Sequence, residues 1–160
     1  MAENQAQTPD FSGIIISATE EIFASMIFLD LVPGTPLTTG KEDLGCYVTA
    51  MIGLSGDFNA ILGIHCPAKV GMVIGGAMLG MELEEVDDDT KDALGEIANM
   101  LAGGLKEAFA LQQINIMLAI PTTISGNSYK LSAPAGGNRV LIPFDIEAGR
   151  FYIDLKYSLS

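Results

Sequence analysis

The stretch from about Thr90 to Ile114 constrains this chain most. At about 100° per residue, Leu94, Ile97, Ala98, Leu101, Leu105, Ala108 and Phe109 fall on one face. That is a long amphipathic helix with an apolar stripe that must lie on something. What it can lie on follows from its neighbours. Cys46 to Leu54 and Phe58 to His65 read as strands joined by the turn Ser55-Gly56-Asp57. Arg139 to Ile146 and Arg150 to Tyr157 form a second such hairpin around Glu147-Ala148-Gly149. Ile116 to Ile120 and Ser128 to Ser132 add shorter strands.

Two further helices are expected. Phe11 to Leu31 has helical apolar spacing, with Phe11, Ile15, Ile22, Met26 and Leu29 on its core face, and stops at Val32-Pro33-Gly34, with a loop from Pro33 to Asp43. Pro67 opens a short helix that runs to Leu79 and is closed by Gly80. The acid-rich segment Glu82 to Asp89 leads into the long helix, where acidic side chains complement the helix dipole and Asp89 is placed to cap. Grouped strands with intervening helices specify an α+β fold, an antiparallel-type sheet of two hairpin units packed against long helices. The halves look alike. Gly56-Asp57-Phe58-x-Ala60-x-Leu62 aligns with Gly149-Arg150-Phe151-x-Ile153-x-Leu155, which suggests a pseudo-two-fold internal duplication. Residues 1–10 form a polar tail and residues 11–160 one domain.

Charge and residue inventory exclude several functions. A net charge of -12 repels phosphate backbones and anionic bilayers, so neither nucleic acid nor membrane is expected as partner. Cys46 and Cys66 lie in apolar, strand-like surroundings and read as reduced buried thiols. Met1 to Gln5 lack the basic and apolar regions of a signal peptide, and a cytoplasmic location is expected. His65 is the only histidine and lies in a strand, which leaves no ordinary Ser/His or Cys/His triad and too few ligands for zinc. No phosphate-cradling loop is present, because Gly75 to Gly80 ends a helix instead of starting one.

The long helix carries a second stripe. Asp92, Glu96, Asn99 and Gly103 follow one another at i, i+4, i+7 and i+11, away from the apolar face. Three polar side chains on an outer face need no explanation, but a mid-helix glycine does, since it costs up to about 1 kcal/mol relative to alanine. A missing side chain there suggests close approach of another molecule. Glu96 and Asn99, one turn apart, can hold a cation and orient a water, yet no nucleophile accompanies them. Any chemistry done on this face would complete a site supplied mostly by another molecule.

The stripe fits the D/S-x-x-x-E-x-x-N-x-x-x-G signature, and the chain resembles the CheC/CheX/FliY phosphatases of the chemotaxis regulator CheY. A single intact motif is most like the CheX branch. The spacing recurs in the first helix as Ser17, Glu21, Ala24 and Phe28, a copy that lacks the amide and the glycine. The resemblance implies a phosphatase acting on a phospho-aspartate response regulator. Asn99 would position the attacking water and Glu96 would pair with the regulator's active-site lysine. Asp92 and Gly103 would contact the partner. It also implies that this chain binds no cofactor of its own, the partner supplying Mg²⁺, and that the chain forms a homodimer through its sheet. The alternatives are a non-catalytic module docking a response regulator or a flagellar switch component, and a structural dimer subunit.

Overall fold

A computed structural model of the chain describes residues 10–37, 46–126 and 138–158. The first helix, α1 (Phe11–Ile22), is capped by the Asp10 carboxylate, which accepts from the Gly13 amide at 3.0 Å. A π-helical turn, Phe23–Ile27, follows. Then come β1 (Val32–Pro33), β2 (Val48–Gly56), β3 (Asn59–Cys66), α2 (Ala68–Leu79) and α3 (Asp88–Ala110). β4 (Ile116–Leu118), β5 (Thr122–Ser125), β6 (Asn138–Ile146) and β7 (Gly149–Ser158) complete the chain. All strand pairings are antiparallel, and the strands form one sheet in the order β1-β6-β7-β3-β2-β4, with β5 also on β2.

The sheet order is palindromic about the β3–β7 pair. Leu62 pairs with Leu155, and these are the two residues that the sequence alignment of the halves makes equivalent. The pseudo-dyad therefore passes between them. Gly56 and Gly149, equivalent in the same alignment, both have positive φ (121° and 147°) at their hairpin turns. Each half also nucleates an aromatic cluster on its equivalent phenylalanine. Phe58 packs against Phe11 and Phe109, and Phe151 stacks between Phe23 and Phe144. The edge strands are exchanged: β1, which follows α1, borders β6, while β4 and β5, which follow α3, border β2.

Several expected boundaries move, for identifiable reasons. The first helix ends at Ile27 and not at Leu31. Its last turn is closed by an i→i+5 bond from the Phe28 amide to the Phe23 carbonyl at 2.6 Å, which inserts one residue and advances the apolar phase. Phe23 and Ile27 are therefore buried, whereas Met26, expected in the core, is 47% exposed. Val32 and Pro33 are strand, not a terminator and loop, because they find partners in Asp145 and Phe144 far along the chain. The cap of α3 is Asp87 and not Asp89. Asp87 is extended and its carboxylate accepts from the Thr90 amide at 3.2 Å, which leaves Asp88 and Asp89 in the first turn. The same helix stops at Ala110, and the strand expected over Ile116 to Ile120 stops at Leu118. The expected strand at Ser128 to Ser132 lies outside the described residues.

α3 is the central helix, packed on β2, β4 and β5 with α1 and α2 at its sides. That explains why more of it is buried than one stripe. Ala93 and Ala102 join the core and Ala108 is only half-buried. Small residues let the neighbours close in: a methyl group added at Gly104 would lie 3.2 Å from the Ala18 methyl of α1. Cys46 and Cys66 are both buried thiols outside any disulfide, and burial pushes the Cys66 thiol up from its ordinary range. Among the described residues no helix is long and apolar enough to cross a membrane.

Candidate functional site

The outer face of α3 meets the edge of the sheet in an open groove of about 360 Å³. Asp92, Glu96 and Asn99 line its helical wall, and Ala119, Ile120 and Pro121 line the other. The structure thus brings three of the four expected residues together. Asp92 and Glu96 are exposed and Asn99 is half-buried. Among the described residues no hydrogen bond or ion pair engages their side chains, so the carboxylates and the amide are available to a visitor. Gly103 continues the row two turns beyond Glu96. A methyl group added there would meet nothing within 4 Å, so no packing among the described residues requires glycine. Gly103→Ala should consequently raise stability by up to about 1 kcal/mol, read as a higher urea midpoint. Unchanged or lower stability would show that the chain itself needs the glycine.

The far wall was not legible as a site. Three residues, Ala119 to Pro121, span what Gly53 and Ile52 span on β2, since Leu118 pairs with Leu54 and Thr122 with Met51. This one-residue bulge turns the edge strand away from its ladder. Pro121 has no amide to donate to β2, and Ile120 is left 87% exposed beside the groove. Lys91, Gly95 and Thr123 also line it. Gly95 lets the wall close, with the Thr123 methyl 3.6 Å from where a β-carbon would stand. The signal in the sequence was an isoleucine followed by proline directly after a strand-like run.

The copy in the first helix does not occupy an equivalent place. Ser17 and Glu21 line a groove between α1 and α3, opposite Gly104 and Glu107, and not a groove against the sheet edge. The π-helical turn also breaks the spacing before Phe28, which is 74% exposed in a left-handed conformation instead of filling a glycine's slot. The duplication is real in the sheet and does not extend to this motif.

His65 takes part in a chain of contacts that mimics a catalytic triad on the opposite side of the sheet. Its Nδ1 lies 2.8 Å from the Thr49 hydroxyl and its Nε2 2.7 Å from an Asp154 carboxylate oxygen. An ionised carboxylate only accepts, so Nε2 carries the proton and donates. The Arg139 guanidinium approaches the other Asp154 oxygen at 3.4 Å, an ionic contact. Thr49, His65 and Asp154 are 0%, 1% and 2% exposed. No substrate can reach them, and the cluster is structural. Among the described residues no three His, Cys, Asp or Glu side chains come together as a metal site.

The chain is similar to known proteins in both sequence and fold. Residues 48–145, well over half of the chain and including all of α3, match the family model described as chemotaxis phosphatase CheX. The CheY-P phosphatase CheX of Thermotoga maritima is 25% identical over 122 residues, which is 74% of this chain and 77% of that protein. Chemotaxis protein CheX from Vibrio vulnificus superposes with a TM-score of 0.87 at 23% identity, covering 94% of this chain and all (100%) of that one. A chain of the CheX–CheY–BeF3–Mg²⁺ complex from Borrelia burgdorferi matches with a TM-score of 0.76 at 19% identity, over 92% of this chain and 96% of its own. A polar pair left without a nucleophile beside a sheet edge is thus found within a shared fold and a matched sequence, and the chain belongs to the chemotaxis phosphatase family CheX.

Proposed function

We propose that this chain accelerates hydrolysis of the phospho-aspartate of a CheY-like response regulator. The observation that carries the reading is the pairing of Glu96 and Asn99, one turn apart in an open groove and engaged by no bond among the described residues. The relatives supply the partner class: one is named a CheY-P phosphatase and another was crystallised with CheY.

Asn99 enters the regulator's site, where its amide accepts from and donates to a water placed in line with phosphorus. The water oxygen bonds to phosphorus as the bond to the aspartate oxygen breaks, the regulator regains its carboxylate and inorganic phosphate leaves. Such a reaction rests on positioning and electrostatics, for which an amide suffices. Glu96 pairs with the regulator's active-site lysine and sets the docking register. Asp92 contacts the rim, Gly103 gives clearance, and Ile120 offers an apolar contact beside them. The regulator brings the Mg²⁺ that neutralises charge on its own phosphoryl group. The direct test follows decay of a purified phosphorylated receiver with and without this chain. An unchanged decay rate across a panel of CheY-like receivers would sink the proposal.

The chain further acts as a cytoplasmic homodimer, joined through the sheet. Exposed Met117 and Ile124, on the edge strands facing away from the helices, favour it. Light scattering on the eluting protein should give twice the chain mass of 16.9 kDa. A monomer at micromolar concentration would remove this part of the reading.

A further inference from the structure

A second hollow surface lies away from the α3 groove and shares no lining residue with it. Two adjoining hollows of about 800 and 620 Å³ meet at Leu29 and Val73. One is walled by α2 and the segment Gly80 to Glu84, the other by Phe28, Asp30 and the β6–β7 turn. Their floor is apolar, with Met72, Val73 and Ala77 contributed by α2. Methionine side chains suit a surface that adapts to its occupant.

Phe28 is the residue the fold does not explain. It caps the π-helical turn at φ 62° and ψ 39°, a left-handed conformation in which glycine or asparagine is usual and a bulky side chain is disfavoured. Its ring is 74% exposed. A phenylalanine there is unfavourable for the backbone and leaves apolar surface in water; a partner that covers the ring removes the second disadvantage and offsets the first. Met81, which lines the adjoining hollow, is 51% exposed.

The rim identifies the occupant. Asp30, Glu82, Glu84 and Glu147 surround the hollows, and among the described residues Lys69 is the one basic residue lining them. A second copy of this chain, presenting the same acidic rim, is repelled from this surface. An anionic lipid headgroup is repelled in the same way. A helix with an apolar face flanked by lysine or arginine is complementary to both the floor and the rim. We infer that this surface is a second docking site, for a basic amphipathic helix of another protein, with Phe28 as its apolar anchor. It is independent of the phosphatase reading and would tether the chain while the α3 groove stays free.

The test uses the full chain and a synthetic helix with leucines at i, i+3, i+4 and i+7 and lysines opposite, beside a scrambled peptide of the same composition. Titration calorimetry and methyl resonances of Leu29 and Val73 report binding. The intact helix should bind more tightly than the scrambled one, and Glu82→Gln with Glu84→Gln should weaken it and flatten its salt dependence. Phe28→Gly should lose at least about tenfold in affinity while its melting temperature holds or rises, since glycine prefers that backbone. Met81→Ser is the second variant, expected to weaken binding without touching the left-handed residue. Equal binding of the scrambled peptide, undiminished binding by both Phe28→Gly and Met81→Ser, no binding by the wild type, or preferential capture by anionic phospholipid vesicles would each overturn the inference.

Discussion

Asn99→Ala should reduce stimulated dephosphorylation of the partner by at least about 100-fold, the scale expected when a reacting water loses its positioning group. The fold should be untouched, because the residue is only half-buried, is engaged by no bond within the described chain, and gives way to the best helix former. Binding should also survive, since Glu96, Asp92 and Ile120 still line the groove. Glu96→Ala should behave differently. It removes a charge that anchors the complex, so half-saturation by phosphorylated receiver should rise roughly tenfold or more while turnover at saturation falls less. The two variants separate positioning from docking when kcat and KM are measured on one receiver. Full activity in Asn99→Ala would reject the mechanism. Undiminished binding with no activity even in the wild type would favour a docking module instead.

The second large effect concerns stability and lies on the other side of the sheet. Asp154→Ala should cost about 3–5 kcal/mol, a fall in Tm of roughly 10 °C or more for a chain of this length. The carboxylate is 2% exposed, accepts from His65 at 2.7 Å and faces Arg139 at 3.4 Å. Its removal leaves a buried guanidinium without that counter-charge and an imidazole without its acceptor. Asp154→Asn keeps the shape and an acceptor and should cost less, which divides the charge effect from the packing effect. Gly63 belongs to the same cluster. A β-carbon there would stand 2.7 Å from both the Asp154 oxygen and the His65 nitrogen, so glycine makes room for the contact. Chemical denaturation of Asp154→Ala within about 1 kcal/mol of the wild type would mean the cluster contributes little.

What the sequence made legible is what repeats locally. Both hairpins show alternating apolar residues around a turn glycine, and α2 is bracketed by Pro67 and Gly80, its cap and its left-handed stop. Glu96, Asn99 and Gly103 stood out because one helical period relates them and because a mid-helix glycine lies on the face turned away from the core. The rest depends on departures from regularity or on distance. A constant 100° per residue cannot register a π-helical turn, so Met26 was assigned to the core and Phe23 was missed. A one-residue bulge at Ala119–Pro121 leaves no periodic trace, which hid Ile120 from the site. His65 and Asp154 are 89 residues apart, and no local pattern joins them. The spacing shared by Glu21 and Glu96 was real as arithmetic and not as geometry, because the two helices turn those positions toward different neighbours.

The exchange of edge strands has a consequence for how such a chain could have arisen and how it can be divided. Each hairpin is completed by a strand from the opposite half: Val32 and Pro33 border β6, and Ile116 to Leu118 border β2. A chain of half the length would hold an outermost strand with no ladder to join and a hairpin with one flank bare. Two copies could satisfy each other only by trading those strands. A tandem fusion of such copies gives the palindromic sheet seen here. The interlock also means that a cut between β5 and β6 yields two fragments that should regain structure together and not separately.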